Sequence, residues 1–158
     1  MTPVTQHIAE LNIGQLWHPL DDPRTAGFTD NSERLNAVAE RSQGFVWRCL
    51  PDEAERETQT VNLYDGDPCT IWTMSVWETP EDLEFFVHRT VHGAFLKRRS
   101  EWFKPQDHKT YVIWPVAAGH IPTLREGLDR LARLQADGPS NDAYDFKTLM
   151  ARNAEGSA

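Results

Sequence analysis

Apolar side chains recur along the chain with two periods, and these periods predict alternating strands and helices. Strict alternation across two faces marks residues 70–77 as the clearest strand. Further predicted strands cover residues 8–17, 45–50 and 110–116. Helical spacing marks residues 22–42, 79–103 and 122–138. The acidic residues 52–67 break both patterns, and we interpret them as an extended hairpin loop with ragged strand pairing near residues 60–64.

Local signals support the helix boundaries. Thr79 is a candidate N-cap, with Pro80 at the first helical position and two acidic residues in the first turn. Asp22 precedes Pro23 in the same way at the first helix. Gly93 predicts a break within the second helix.

The order of these elements is strand, helix, strand, strand, helix, strand, helix. The first six elements form the ferredoxin-like βαββαβ pattern of an α+β protein, with an antiparallel sheet and its helices on one face. That topology places the last strand at a sheet edge, which suits Pro115. We expect residues 1–139 to form one domain that includes the C-terminal helix, and residues 140–158 to form a polar, partly disordered tail.

The strand at residues 70–77 carries large apolar side chains on both faces. Helices on one face leave the other face bare, and a second copy of the chain is the economical cover. We therefore expect a symmetric homodimer, in the manner of a dimeric α/β barrel.

Composition excludes several functional classes. The chain has 158 residues and a formal net charge of −8, which argues against a general binder of nucleic acids or anionic membranes. No apolar run is long enough to span a bilayer, and the first residues lack the pattern of a secretory signal. Two cysteines form no disulfide framework, so a cytoplasmic location is the expectation.

The second helix carries the most informative chemistry. One of its stripes mixes rings with imidazoles and a guanidinium: Phe85, His88, His92, Phe95, Arg99 and Phe103. The stripe is either the wall of a ligand pocket or a helix side packed under the C-terminal segment. Two histidines four residues apart also suit zinc, but no acidic residue lies between them, so we predict no metal site.

Several motifs resemble a known family. These motifs are residues 75–83, His92 and residues 98–103, together with Asn12 in the first strand and residues 44–47 at the start of the second strand. This combination resembles a bacterial family of unknown function that looks like a branch of the dimeric α/β barrel superfamily. Better-known members of that superfamily are the antibiotic-biosynthesis monooxygenases and the haem-degrading monooxygenases.

The resemblance implies a pocket between the sheet and the helices of each subunit. Asn12 and His92 occupy positions similar to an asparagine and a haem-ligating histidine of the haem-degrading relatives. The helix tryptophan of those relatives is missing here, because Phe85 and Phe86 stand where it would fall. Haem breakdown is therefore not the leading expectation.

The leading hypothesis is a monooxygenase-like enzyme that acts on a small hydrophobic aromatic substrate without metal or flavin. His92 would be the base and Asn12 would bind the developing oxyanion. The expected substrate-binding residues are Trp77, Trp72, Phe85, His88, Phe95 and Arg99. The alternatives are a haem or porphyrin binder with His92 as axial ligand, and a non-catalytic dimeric module without a pocket beneath Asn12 and His92.

Overall fold

The sheet has four antiparallel strands. The computed structural model describes residues 6–156, apart from the side chains of Val91 and Gly156. The strands are β1 (Gln6–Gln15), β2 (Phe45–Arg48), β3 (Thr70–Trp77) and β4 (Tyr111–Ala117). They lie in the order β2-β3-β1-β4, so the ferredoxin-like prediction is confirmed. β4 lies at an edge, as Pro115 predicts.

Six α-helices connect and cover the described strands. They are α1 (Ala26–Glu40), α2 (Pro51–Thr58), α3 (Pro80–Arg89), α4 (Val91–Lys97), α5 (Leu124–Asp137) and α6 (Phe146–Gly156). The predicted cap of α3 is confirmed, because Thr79 Oγ1 accepts from Asp82 N at 3.1 Å. Asp22 Oδ1 accepts from Arg24 N at 2.8 Å, but it caps a 3₁₀ turn (Pro23–Thr25) that precedes α1.

The two faces of the sheet pack against different helices. Ile8, Trp77 and Ile113 pack with residues of α1 and α3, and we call this side the α3 face. Ala9, Leu11 and Ile13 point the opposite way and pack with α5, on what we call the α5 face. The two helices of the βαββαβ unit thus share one face, and the C-terminal helix α5 covers the other.

This arrangement changes the argument for a dimer. The α5 face is not bare, because α5 packs on β1 and β4 and the segment after α2 adds Val61 and Leu63. Trp47 and Trp72 remain half-buried on that face, near the β2 edge. The homodimer stays a prediction.

The prediction of an extended loop at residues 52–67 is wrong. Pro51 occupies the first turn of α2, and Asp52 and Glu53 follow it in that turn, where acidic side chains suit the helix dipole. α2 is also fastened to α5, because Glu57 Oε1 accepts from Leu124 N at 3.1 Å. β2 thus ends at Arg48, and Pro51 begins a helix.

The segment after residue 139 is not a loose tail. Ile113 and Tyr144 exchange two backbone hydrogen bonds of 2.8 and 2.9 Å, and α6 follows. Asp145 is buried and forms an ion pair with Lys109 at 2.8 Å. A few well-placed apolar residues, including Leu149, are enough to dock a segment that is otherwise polar. The expected disorder at residues 157–158 lies outside the described residues.

Two further observations concern the setting of the protein. None of the helices within residues 6–156 has the length and apolar character needed to cross a bilayer. Cys49 and Cys69 are free and half-buried, and burial raises the pKa of the Cys49 thiol to about 11. A cytoplasmic location stays a prediction.

Candidate functional site

The predicted helix over residues 79–103 breaks at Thr90, three residues before Gly93. Thr90 has extended backbone angles and caps α4, because its hydroxyl oxygen accepts from His92 N at 3.3 Å. Gly93 permits the sharp bend, since a Cβ there would lie 2.7 Å from the His88 carbonyl oxygen. The break ends the stripe on which His88 and His92 were expected to lie together.

The outer residues of that stripe do not line an interior pocket. Phe85 is 55% exposed, and His88 is exposed, with its ring edge against Phe146 at 4.8 Å. Arg99 is also exposed and lies over the Phe103 ring at 5.7 Å. The predicted substrate-binding roles of Phe85, His88 and Arg99 therefore have no structural support, because these side chains face solvent.

His92 points inward and is held by its own two helices. Its Nδ1 lies 3.1 Å from the Val87 carbonyl oxygen, which can only accept, so Nδ1 carries the proton and Nε2 keeps its lone pair. The imidazole packs against Phe86 at 5.0 Å and Phe95 at 6.0 Å. Burial lowers the pKa of His92, so the ring is neutral at pH 7.

Two groups of rings flank the centre of the α3 face. The first, the Trp77 ring group, comprises Trp77 and the rings it touches, Phe45 at 5.5 Å and Phe86 at 5.2 Å. The indole nitrogen of Trp77 donates to Ser75 Oγ at 3.0 Å. The ring group closes the end of the face near Ile8, which lies opposite Trp77 in the sheet.

The second, the Phe103 ring group, closes the other end of the same face. Its members pack on one another through centroid distances of 5.1 to 6.2 Å: Phe28, Phe95, Trp102 and Phe103. Phe103 lies directly against Gly14, where a Cβ would collide with the ring. Phe95 thus packs in this group, and its expected substrate-binding role stays a prediction.

Trp72 does not belong to this face. It lies five residues from Trp77 on the same strand, and odd spacing puts the two side chains on opposite faces. Its indole nitrogen donates to Thr58 Oγ1 at 2.9 Å, and the ring packs against the α5 cluster. The expectation that Trp72 shapes a pocket with Asn12 is therefore wrong.

Between the two ring groups lie Glu10 and Asn12, side by side on β1. Glu10 pairs with Ser75 and Ile113, and Asn12 lies two residues further on the same face. Both side chains are half-buried, whereas Ala9, Leu11 and Ile13 on the opposite face of β1 are at most 4% exposed. Neither side chain has a hydrogen-bond partner within residues 6–156. The α3 face of β1 therefore carries two half-buried polar side chains without hydrogen-bond partners in the described part of the chain, between the two ring groups.

Glu10 is the residue that sequence reasoning missed. Desolvation raises the pKa of its carboxyl from 4.5 to about 7, so it titrates near neutral pH. The sequence did contain a signal for it. Glu10 lies two positions before Asn12 in the interior of a strand, and residues two positions apart in a strand point to the same face. An unpaired carboxyl on a central strand is costly, and such groups concentrate at functional sites.

Tyr111 is the third polar side chain on this part of the α3 face. It lies opposite Asn12 in the β1–β4 pairing, and its hydroxyl oxygen accepts from Phe146 N at 3.0 Å. Desolvation, with added repulsion from Asp145 and Glu10, raises the pKa of Tyr111 to about 12. The phenol therefore stays protonated at neutral pH.

Two open grooves lie elsewhere on the surface. One of about 610 Å³ is lined by residues 106–109, 134–135 and 138–139. The other, of about 510 Å³, runs along the outside of the α3–α4 break. Neither is lined by Glu10, Asn12 or His92. Within residues 6–156 no three His, Cys, Asp or Glu side chains are grouped as metal ligands would be.

A protein-family model matches residues 7–157, and its description is a domain of unknown function, DUF3291. No curated protein sequence is detectably similar to the chain. The match covers the segment after residue 139 together with the sheet.

Solved structures with related folds were found at low sequence identity. A candidate antibiotic biosynthesis monooxygenase from Nitrosomonas europaea is 12% identical, with 78% of this chain and 98% of that chain covered and a TM-score of 0.45. SnoaB, a cofactor-independent oxygenase from Streptomyces nogalater, is 13% identical, with 75% and 97% covered and a TM-score of 0.45. A Methanosarcina mazei protein is 12% identical, with 71% and 92% covered and a TM-score of 0.48. Similarity at this level assigns no residue roles.

Proposed function

This chain belongs to the DUF3291 family, and we propose that it is a monooxygenase-like enzyme for a small hydrophobic aromatic substrate, working without metal or flavin. Glu10 would remove a proton from the substrate, and dioxygen would oxidise the anion. The observation that carries the proposal is the Glu10–Asn12 pair, half-buried and without hydrogen-bond partners within residues 6–156, on the sheet face between two groups of rings.

The surroundings of the pair suit a neutral, flat ligand. Ring groups lie on both sides of the polar pair, so an aromatic substrate bound there would gain apolar contacts. Two basic side chains on neighbouring segments are already engaged, because Arg48 of β2 pairs with Glu40 at 3.0 Å and Lys109, just before β4, pairs with Asp145 at 2.8 Å. An anionic ligand would therefore meet the Glu10 carboxylate without a free cation from Arg48 or Lys109.

The chemistry divides between the two side chains. The Glu10 carboxylate takes a proton from an acidic CH₂ group, and the Asn12 amide donates a hydrogen bond to the oxygen on which negative charge develops. The anion gives one electron to dioxygen, and the resulting radicals join in a C–O bond. Protonation of the peroxide and loss of the second C–H proton break the O–O bond. In sum, CH₂ and O₂ become C=O and H₂O.

Glu10 is a better base for this step than His92. A base is most effective when its pKa lies near the working pH, which holds for Glu10. Burial lowers the pKa of His92. The imidazole packs against Phe86 and Phe95, and its Nδ1 hydrogen-bonds to the Val87 carbonyl oxygen. In this proposal His92 contributes a ring to the wall between the two ring groups.

The test is oxygen consumption with an anthrone, whose CH₂ lies between two aromatic rings. We expect one O₂ consumed per quinone formed, with kcat lowered about 10²- to 10⁴-fold in Glu10→Gln. Glu33→Gln, at an exposed glutamate of α1, is the matched control and should behave as wild type. Wild-type rates in Glu10→Gln would refute the role of Glu10.

A second candidate function rests on the hydrogen bond of His92. An imidazole that donates Nδ1–H to a backbone carbonyl presents Nε2 as a ligand, which is the arrangement of many iron-binding histidines. His92 would then hold a haem, which supplies an iron centre. Addition of haemin should give a Soret band that His92→Ala loses and Glu10→Gln retains. A wild-type protein without the band would reject this candidate.

A further inference from the structure

Tyr111 stands where a second donor to a substrate oxygen would be needed. It lies directly opposite Asn12 across the β1–β4 ladder, with side chains on the same face about 5 Å apart at Cβ. Glu10 is the diagonal neighbour of Tyr111 on that face. Three polar side chains from two adjacent strands thus share one patch of the α3 face.

The hydrogen bonding of Tyr111 leaves its proton available. Its hydroxyl oxygen accepts from Phe146 N, the first residue of α6, and the ring stacks on Phe146 at 5.4 Å. Within the described part of the chain the O–H group has no acceptor. Because the pKa of Tyr111 is raised to about 12, the hydroxyl keeps its proton and can donate it in a hydrogen bond.

We propose that Tyr111 and Asn12 together bind the carbonyl oxygen of the substrate, which is a ketone whose α-carbon is bonded to an aromatic ring. The proposal rests on the proposed role of Glu10 as the base and adds the substrate class. Tyr111 is then a catalytic residue, since its hydroxyl contacts the reacting group. The ring groups on either side of the polar residues would hold the aryl part.

The proton-transfer step balances without an oxidant. The α-C–H proton passes to the Glu10 carboxylate, and the electron pair of that bond forms the C=C bond of an enolate. The π electrons of the carbonyl move to oxygen, where Asn12 and Tyr111 donate hydrogen bonds. Return of the proton from Glu10 restores the ketone. The site therefore exchanges α-protons even in the absence of dioxygen.

This inference also explains why the C-terminal segment is docked so firmly. Asp145 pairs with Lys109 and accepts from Thr148 N at 2.8 Å, which fixes the first turn of α6. That turn presents Phe146 N to the Tyr111 hydroxyl oxygen and so orients its proton. The segment after residue 139 is thus part of the site.

The experiment is α-proton exchange of 2-tetralone in D₂O under nitrogen, followed by proton NMR with the full-length protein. We expect wild type to accelerate exchange and Glu10→Gln to abolish the acceleration. Tyr111→Phe should lower the rate about 10²-fold, as loss of one oxyanion donor does. Tyr144→Phe is the matched control, because it removes a hydroxyl from the same core cluster and should leave the rate unchanged.

Binding of 2-naphthol, which has the shape of the enol, provides the second readout. Tyr111→Phe should weaken 2-naphthol binding at least tenfold. If the Tyr111 hydroxyl had only a structural role, Tyr144→Phe would weaken binding by the same factor. If Tyr111→Phe fails to fold, 3-fluorotyrosine at position 111 keeps the shape and changes only the donor strength, so the exchange rate must still change. Unchanged exchange in the folded variant overturns the role of Tyr111.

The outcomes separate this inference from the proposed oxygenation. Exchange under nitrogen without oxygen consumption in air would support the inference and refute the oxygenase. Oxygen consumption with an anthrone but no exchange of 2-tetralone would refute the inference and leave the oxygenase standing.

Discussion

Glu10 should leave a signature in the stability of the protein, independent of any substrate. Its folded pKa of about 7 lies above the unfolded value near 4.5, so the folded state binds the proton more tightly. Between these values the unfolded chain has lost the proton while the folded chain keeps it, so stability falls as pH rises through this window. The full effect is at most about 3 kcal/mol.

The measurement is urea unfolding of wild type and Glu10→Gln at pH 5 and pH 8. Wild type should lose stability at pH 8 relative to Glu10→Gln, because only wild type must then bury a carboxylate. Glu33→Gln controls for the loss of one negative charge. The same pH dependence in wild type and Glu10→Gln would show that the Glu10 carboxyl is not desolvated.

At the scale of single residues, the sequence identified half of the polar pair. Asn12 was found through the family resemblance and lies on the expected face, beside the helices. Glu10 could have been found from the alternation of side chains along β1, which places a carboxyl on a face that is otherwise covered by helices. The divergence of His88 and His92 follows from the break at Thr90, which an unbroken helical wheel does not show.

At the scale of elements, the C-terminal anchor offers a prediction. Burial alone would raise the pKa of Asp145, but the Lys109 ammonium and Thr148 hold that pKa below its usual value. Asp145 therefore stabilises the fold above its unfolded pKa, and the contribution is lost as pH falls through the folded value. Asp145→Asn should lower the free energy of unfolding by about 1–3 kcal/mol at pH 7.

Chemical denaturation measures that loss, with Asp142→Asn as an exposed control nearby. Hydrogen exchange should show α6 opening in Asp145→Asn before the sheet does. A variant as stable as wild type would mean that the Lys109–Asp145 pair does not hold α6 in place.

Elements with a local signature were predictable, and those that depend on distant contacts were not. The strand at residues 70–77 was located with correct bounds because its alternation is strict. α2 was missed because Pro51 was interpreted as the end of a strand, whereas β2 ends at Arg48 and Pro51 begins a helix. α6 was missed because its few apolar side chains gain their value from contacts with Ile113 and Tyr111, far away in the chain.

At the scale of the whole molecule, the homodimer is the open prediction. α5 covers the face over β1 and β4, which leaves Trp47 and Trp72 near the β2 edge, with Leu50 46% exposed. Light scattering at micromolar concentration should give twice the chain mass of 18.1 kDa. Leu50→Asp should shift that mass toward the monomer, whereas a wild-type mass of one chain would refute the dimer.

The central claim is that Glu10 is a base set to work near neutral pH, and its carboxyl carbon reports this directly. We predict that the Glu10 Cδ resonance in ¹³C-labelled protein, assigned by its absence in Glu10→Gln, titrates with a midpoint near pH 7. A midpoint near 4.5, the ordinary value for glutamate, would contradict the account.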